Sequence, residues 1–92
     1  MNIEWDEKKN LLNIKKHGIN FNLAAHVFTD PLRKEYYDFK HSSAGEDRTI
    51  VIGIAKDRML FVSFTEPDPE TIHIISARKA EKQERRYYYG DY

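Results

Sequence analysis

The sequence contains no cysteine. Disulfides and thiolate metal sites are therefore excluded, and a reducing compartment is the natural setting. No apolar run approaches the roughly 20 residues needed to span a bilayer. The first residues, Met1-Asn2-Ile3-Glu4-Trp5-Asp6, are acidic and contain no apolar h-region, so no secretory signal is expected. A cytoplasmic location follows as an expectation. Neither sign of charge is in excess: 15 Lys and Arg stand against 15 Asp and Glu, for a formal net charge of zero. That balance argues against a strong, sequence-independent nucleic-acid binder. Proline and glycine number only three and four, and no repeat, linker or low-complexity segment is visible.

What is present fits one small folded domain spanning residues 1–92. Hydrophobic residues make up 40% and charged residues 33%, a balance found in globular rather than disordered chains. A chain of this size buries only about 60–65% of its unfolded surface, so its core is thin and a partner helps stabilise it. Charge is unevenly distributed. Residues 31–70 carry six basic and eight acidic side chains, whereas residues 71–92 carry five basic (Arg78, Lys79, Lys82, Arg85, Arg86) and three acidic. A local basic surface of this kind can engage RNA weakly and transiently.

Periodicity sets the order of elements. Ile3 and Trp5 alternate with polar residues, as in a short strand. Asp6 is a good helix N-cap, the run from Glu7 to His17 holds no Gly or Pro, and Gly18 suits the left-handed position past a helix end. Asn20 can cap a second helix, in which Phe21, Ala24, Ala25 and Phe28 form one apolar face, and Asp30-Pro31 stops it. Tyr36, Tyr37 and Phe39 read as a strand, and residues 40–47 as a polar loop. Thr49–Ile54 and Met59–Thr65 read as an antiparallel pair joined by Lys56-Asp57-Arg58. Residues 67–70 form the next loop, Thr71–Ser76 the last strand, and Ala77 to about Tyr89 the last helix. The order β-α-α-β-β-β-β-α predicts a two-layer α+β domain, an antiparallel sheet with helices packed on it.

On that boundary Arg78 and Lys79 fall in the first turn of the last helix. Cations there are mildly unfavourable, by roughly 0.3–1 kcal/mol each. Exposed N–H groups with two cations would make an anion site, whereas Ser76 could equally cap a helix whose cations point into water.

Several segments together resemble one family. Trp5-Asp6, Lys15-Lys16-His17-Gly18 and Phe21-x-x-Ala24-x-x-Val27-Phe28-x-Asp30-Pro31 are similar to the start of the BrnT toxins. Arg48, Gly53, Thr65-Glu66, Ile74-Ile75-Ser76-Ala77-Arg78-Lys79-Ala80 and Glu84-Arg85-x-Tyr87 match the rest, in order and over nearly the whole chain. The resemblance implies a RelE-like fold and a ribonuclease that arrests growth. It also implies neutralisation by a DNA-binding BrnA-like antitoxin that represses the shared operon. One departure is His73, where many members carry Arg.

Metal-independent RNA cleavage needs a base for the 2′-hydroxyl, cations for the charged phosphorane and an acid for the leaving oxygen, and calls for no cofactor. Arg binds phosphate bidentately and Lys supplies a compact charge, so Arg78 and Lys79 are the candidates for charge stabilisation. By the resemblance, Arg48 joins them. His17 is the candidate for acid–base work, imidazole titrating near neutrality, although a His in the last turn of a helix also serves its free carbonyls. Lys16 could bind phosphate or be a solvated charge. His73 alternates with Ile72 and Ile74 and so points away from them, to solvent or a groove. Trp5 could stack on a base or belong to the core. The tail from Arg85 to Tyr92, with Arg85 and Tyr87, mixes basic and aromatic residues and suits RNA or an antitoxin; a frayed terminus is the alternative. His26 and His41 receive no role, and four His without H-x-x-x-H spacing make no metal site. Two further readings compete with a ribonuclease: a catalytically weak antitoxin-binding co-repressor, and a simple RNA-binding module, which the zero net charge disfavours.

Overall fold

Asp6 starts the first helix as its sequence position requires. Its extended backbone (φ −85°, ψ 123°) leaves the carboxylate free to accept the N–H groups of Lys8 and Lys9. The helix, α1, runs Glu7–His17 and closes on Gly18 at φ 71°, a left-handed turn that a side chain resists. A computed structural model describes residues 1–90 of the chain. Strand β1 (Asn2–Trp5) precedes α1. After it come α2 (Phe21–Ala24), a 3₁₀ turn (Ala25–Thr29), β2 (Lys34–Tyr37), β3 (Thr49–Ala55), β4 (Arg58–Asp68), β5 (Thr71–Lys79) and α3 (Lys82–Tyr89). The five strands form one sheet in the order β1-β5-β4-β3-β2. β2 to β5 pair antiparallel in succession, β2 and β3 across the loop at 38–48 and the others through two-residue turns, and β1 joins the outer edge of β5 in parallel. The α+β class and the order of elements are those the sequence predicts. No helix is long and apolar enough to cross a membrane among the described residues.

The main core lies between the sheet and the segment from α1 to the 3₁₀ turn. Val51, Leu60, Val62, Phe64, Ile72, Ile74 and Ala77 from the strands meet Ile19, Phe21, Ala24, Val27 and Phe28. A second, smaller cluster on the other face holds Ile50, Ile52, Met59, Ala80 and Tyr88 under α3. Asp30 ties α3 down, its Oδ2 accepting the Tyr88 hydroxyl at 2.7 Å and the Ile54 N–H at 2.8 Å.

α1 reverses the usual helix pattern. Its buried residues are Asn10 and Asn13, while Leu11 and Leu12 are 61% and 65% exposed. Asn10 Oδ1 accepts the Phe21 N–H at 2.8 Å. Asn13 donates to the carbonyls of Ile19 and Ala77, both at 2.8 Å, and accepts the Ala77 N–H at 3.1 Å. β1 pairs with β5 only as far as Trp5 opposite Ile74, so beyond that point the Asn13 amide takes the place of a neighbouring strand.

Several boundaries differ from the sequence reading: the second helix passes into a 3₁₀ turn after Ala24, and β2 ends at Tyr37 and leaves Phe39 outside it. β4 continues to Asp68, which shortens the expected loop at 67–70. More consequentially, β5 continues through Arg78 and Lys79, which pair with Phe61 and Leu60. β4 starts early, at Arg58, and its ladder claims these backbone groups up to Ala80, whose N–H reaches the Met59 carbonyl at 3.0 Å. Helix α3 starts at Lys82 instead, with Glu81 as its cap and Glu84 reaching back to the Glu81 N–H at 2.7 Å. Arg78 and Lys79 therefore do not sit in the first turn of a helix, and Ser76 caps none.

Candidate functional site

A β-bulge decides where the two cations point. Ile74 lies opposite Phe64 and Ser76 opposite Ser63, so Ile75 is an extra residue in β5. Strict alternation from Ile72 and Ile74 would bury Ser76 and Arg78 under α1. The inserted residue reverses the phase: Ala77 enters the main core and Arg78 turns to the opposite face. Its neighbour Lys79 then falls on the other side. The sequence placed both in one site; the structure separates them by strand alternation.

Arg78 lies in a groove of about 610 Å³ on the α3 face of the sheet, shared with Tyr36, His41, Arg48, Ser63 and Ser76. Its guanidinium rests 3.9 Å over the Phe61 ring centroid. Glu84 of α3 grips it bidentately, Nη1 to Oε1 at 2.9 Å and Nη2 to Oε2 at 2.8 Å. The Glu84 hydrogen bonds raise the Arg78 pKa above its ordinary value, outweighing the opposing effect of partial burial. Arg48, just before β3, also lines the groove and pairs with Glu46 at 2.7 Å. Its backbone is held by the 38–47 loop: the Arg48 N–H donates to Ser42 Oγ at 2.8 Å and its carbonyl accepts from Asp38 N at 2.9 Å.

The same loop brings an imidazole that sequence reasoning passed over. His41 Nδ1 lies 3.0 Å from Asp38 Oδ2, and the other Asp38 oxygen accepts the Lys40 and His41 N–H groups. The carboxylate is sheltered and the imidazole exposed, a carboxylate-oriented histidine facing the groove. The available sequence signal was Asp at i and His at i+3 in a polar loop, which also fits an ordinary Asx turn. Tyr36 of β2 closes this side. Burial first, then the Glu84 and Asp38 charges, push its phenol pKa up, so at neutral pH it is a hydrogen-bond donor to an anion and not a base. Tyr87 meets Tyr36 edge-on at 5.8 Å and lines an adjoining hollow with Glu84.

Other sequence candidates lie elsewhere. His17, Lys79 and Arg85 line a second concavity, with Arg58 and Asp57, at the end of α1. Lys16 is exposed in the last turn of α1. Trp5 packs on the core, edge-on to Phe21 at 6.2 Å, and its Nε1 donates to Glu7. His73 Nδ1 lies 2.8 Å from Glu4 Oε2 on the neighbouring strand β1. Of the basic and aromatic tail, Asp91 and Tyr92 lie outside the described residues. Among the described residues no three His, Asp or Glu side chains cluster as metal ligands.

The fold has relatives. The chain is similar to the crystal structure of the Brucella abortus ribonuclease toxin BrnT, with 28% identity and a TM-score of 0.68 over 89% of this chain and 99% of that one. No curated protein matches. A family model described as the ribonuclease toxin BrnT of type II toxin–antitoxin systems matches residues 5–84, and with most of its length so covered the chain belongs to that family.

Proposed function

We propose that this ribonuclease toxin cleaves single-stranded RNA in the Arg78 groove without a metal ion, using the 2′-hydroxyl as nucleophile. The observation that carries this reading is the meeting, in one groove, of a guanidinium on β5, a second at the start of β3 and a carboxylate-oriented imidazole. His41, oriented by Asp38, takes the proton of the 2′-hydroxyl as that oxygen attacks the adjacent phosphorus. Arg78 stabilises the charge on the phosphorane, and Arg48 supports it. The 5′-oxygen leaves with a proton from the Tyr36 phenol or from water. The products are a 2′,3′-cyclic phosphate and a 5′-hydroxyl. His17 takes no acid–base part here, because it lines a different concavity from Arg78. Trp5, packed on Phe21, serves the core and not a base.

The chain acts as a single domain in the cytoplasm, neutralised by a BrnA-like, DNA-binding antitoxin. A second reading draws on the Arg78–Glu84 pair. Both guanidinium Nη atoms already hold a carboxylate, which suits a catalytically weak co-repressor that binds antitoxin.

The test is incubation of purified protein with a defined RNA in EDTA, beside Arg78→Ala, with the product ends typed. Cyclic-phosphate ends that disappear in the variant support the groove. Undiminished cleavage by Arg78→Ala refutes its role, and no cleavage by the folded parent moves the weight to the co-repressor.

A further inference from the structure

Apart from Arg86, which has a contact of its own, the arginines of the described residues fall into two groups. Arg33, Arg48 and Arg78 are paired with Glu35, Glu46 and Glu84. Arg58 and Arg85, with Lys79, have no carboxylate within 4.0 Å among the described residues, and all three line one concavity of about 460 Å³. Asp57 is the carboxylate in that lining, so three cations stand against one anion, before any contribution from His17. Like charges brought together without partners repel one another by Coulomb's law, and an anion placed among them removes the repulsion. Guanidinium forks suit phosphate oxygens in particular.

The concavity is continuous in sequence with the groove across two elements. On β5, Arg78 lines the groove and Lys79 the concavity; on α3, Glu84 lines the groove and Arg85 the concavity. The end of β5 and the start of α3 thus form one ridge with a site on each flank. A strand seated in the groove has a short path over that ridge. Single-strand binders combine stacking surfaces with a basic track for the backbone, and this is such a track.

We propose that Arg58, Lys79 and Arg85 form a phosphate-binding subsite that holds the RNA backbone next to the segment being cleaved. The subsite rests on the ribonuclease reading of the groove. It accounts for how a neutral protein whose groove arginines are already paired retains its substrate. The pocket positions RNA and performs no chemistry.

The test uses a fluorescein-labelled 12-nucleotide RNA with 2′-O-methyl sugars, which the 2′-hydroxyl mechanism cannot cleave. Anisotropy titrations at several salt concentrations give the slope of log K against log salt, about −0.7 per phosphate neutralised on a single strand. The side chains of Arg58 and Arg85 are exposed, so Arg58→Gln/Arg85→Gln should fold normally. Its slope should be shallower by about 1.4. On a cleavable RNA its KM should rise about tenfold or more while kcat changes less. Lys8→Gln/Lys9→Gln, at the opposite end of α1, removes the same charge and should leave the slope unchanged. An unchanged slope in Arg58→Gln/Arg85→Gln, from a parent that cleaves RNA, overturns the subsite and leaves the groove standing. An unchanged slope together with lost neutralisation by the antitoxin also overturns it, and reassigns the surface to a protein partner. A parent that neither binds nor cleaves RNA removes the ribonuclease reading and the subsite with it.

Discussion

Replacing Asn13 by Ala should cost far more than its polar, helical position suggests. The side chain is 7% exposed and makes three hydrogen bonds, two donated to the carbonyls of Ile19 and Ala77 and one accepted from the Ala77 N–H. At about 1 kcal/mol net for each bond, the loss is about 3 kcal/mol, and the peptide groups left behind are themselves buried. Small domains have only about 5–15 kcal/mol to lose. The expected fall in Tm is therefore about 12–24 °C, and the urea midpoint should drop by about 1–3 M with an unchanged m-value. Far-UV circular dichroism and the fluorescence of Trp5, the single tryptophan, report the transition. Asn13→Asp separates hydrogen bonding from volume. It fills the same space and keeps an acceptor for Ala77 N–H, but it sets an oxygen against two carbonyls. It should be at least as destabilising as Ala, and the Ala77 amide should lose hydrogen-exchange protection in both. A loss below about 1 kcal/mol for Asn13→Ala, or a near-normal Asn13→Asp, would refute the claim that this amide substitutes for a strand on the edge of β5.

Tyr88→Phe removes the 2.7 Å bond to Asp30 and should destabilise by about 1 kcal/mol. Burial and then the Asp30 contact raise the Tyr88 pKa from 10.0 to about 12. A raised pKa means stability fully present below pH 10 and lost as pH climbs towards 12; denaturant melts should show that decline in the parent, and Phe should flatten it to the Tyr36 contribution. Gly53→Ala would set a Cβ 3.2 Å from both Val27 Cβ and the Val27 carbonyl oxygen and 3.3 Å from Arg33 Cβ, and should cost about 1–3 kcal/mol by thermal melting. His41→Ala, at an exposed ring, should leave Tm within about 2 °C of the parent, yet lower RNA cleavage by roughly 10²–10⁴-fold in a timed assay. Full cleavage by that variant would remove His41 from the mechanism.

The elements that local chemistry dictates were legible in the sequence. Asp6 and Gly18 bracket α1 because a carboxylate cap and a left-handed glycine act within one turn of chain. β3 and β4 follow from their apolar runs and the tight Lys56-Asp57-Arg58 connection. What was not legible depends on partners distant in sequence. The alternation in Ile3 and Trp5 marks a strand but not its neighbour, and only the fold places β1 parallel against β5. Asn10 and Asn13 look like the solvent side of α1, and become its buried side because peptide groups of Phe21 and Ala77 need partners there. The sequence reading opened the last helix at Ala77 behind Ser76, whereas the Glu81 and Glu84 capping box that starts α3 lies five residues further on.

The same competition explains the site. Residues 74–80 can continue a ladder or open a helix, and local preference does not choose between the two. The choice falls to β4, whose early start at Arg58 offers partners as far as Ala80. Once β5 is a strand through that stretch, the extra Ile75 determines which cation faces which way. Two adjacent basic residues that a helix would have held in one turn are thereby sent to opposite flanks of a ridge. Arg78 is left to a carboxylate and an aromatic ring, Lys79 to a concavity it shares with Arg58 and Arg85. The proposed division of labour between cleavage groove and backbone subsite thus rests on a single inserted residue in one strand, a feature that neither the charge pattern nor the apolar period of the chain can reveal.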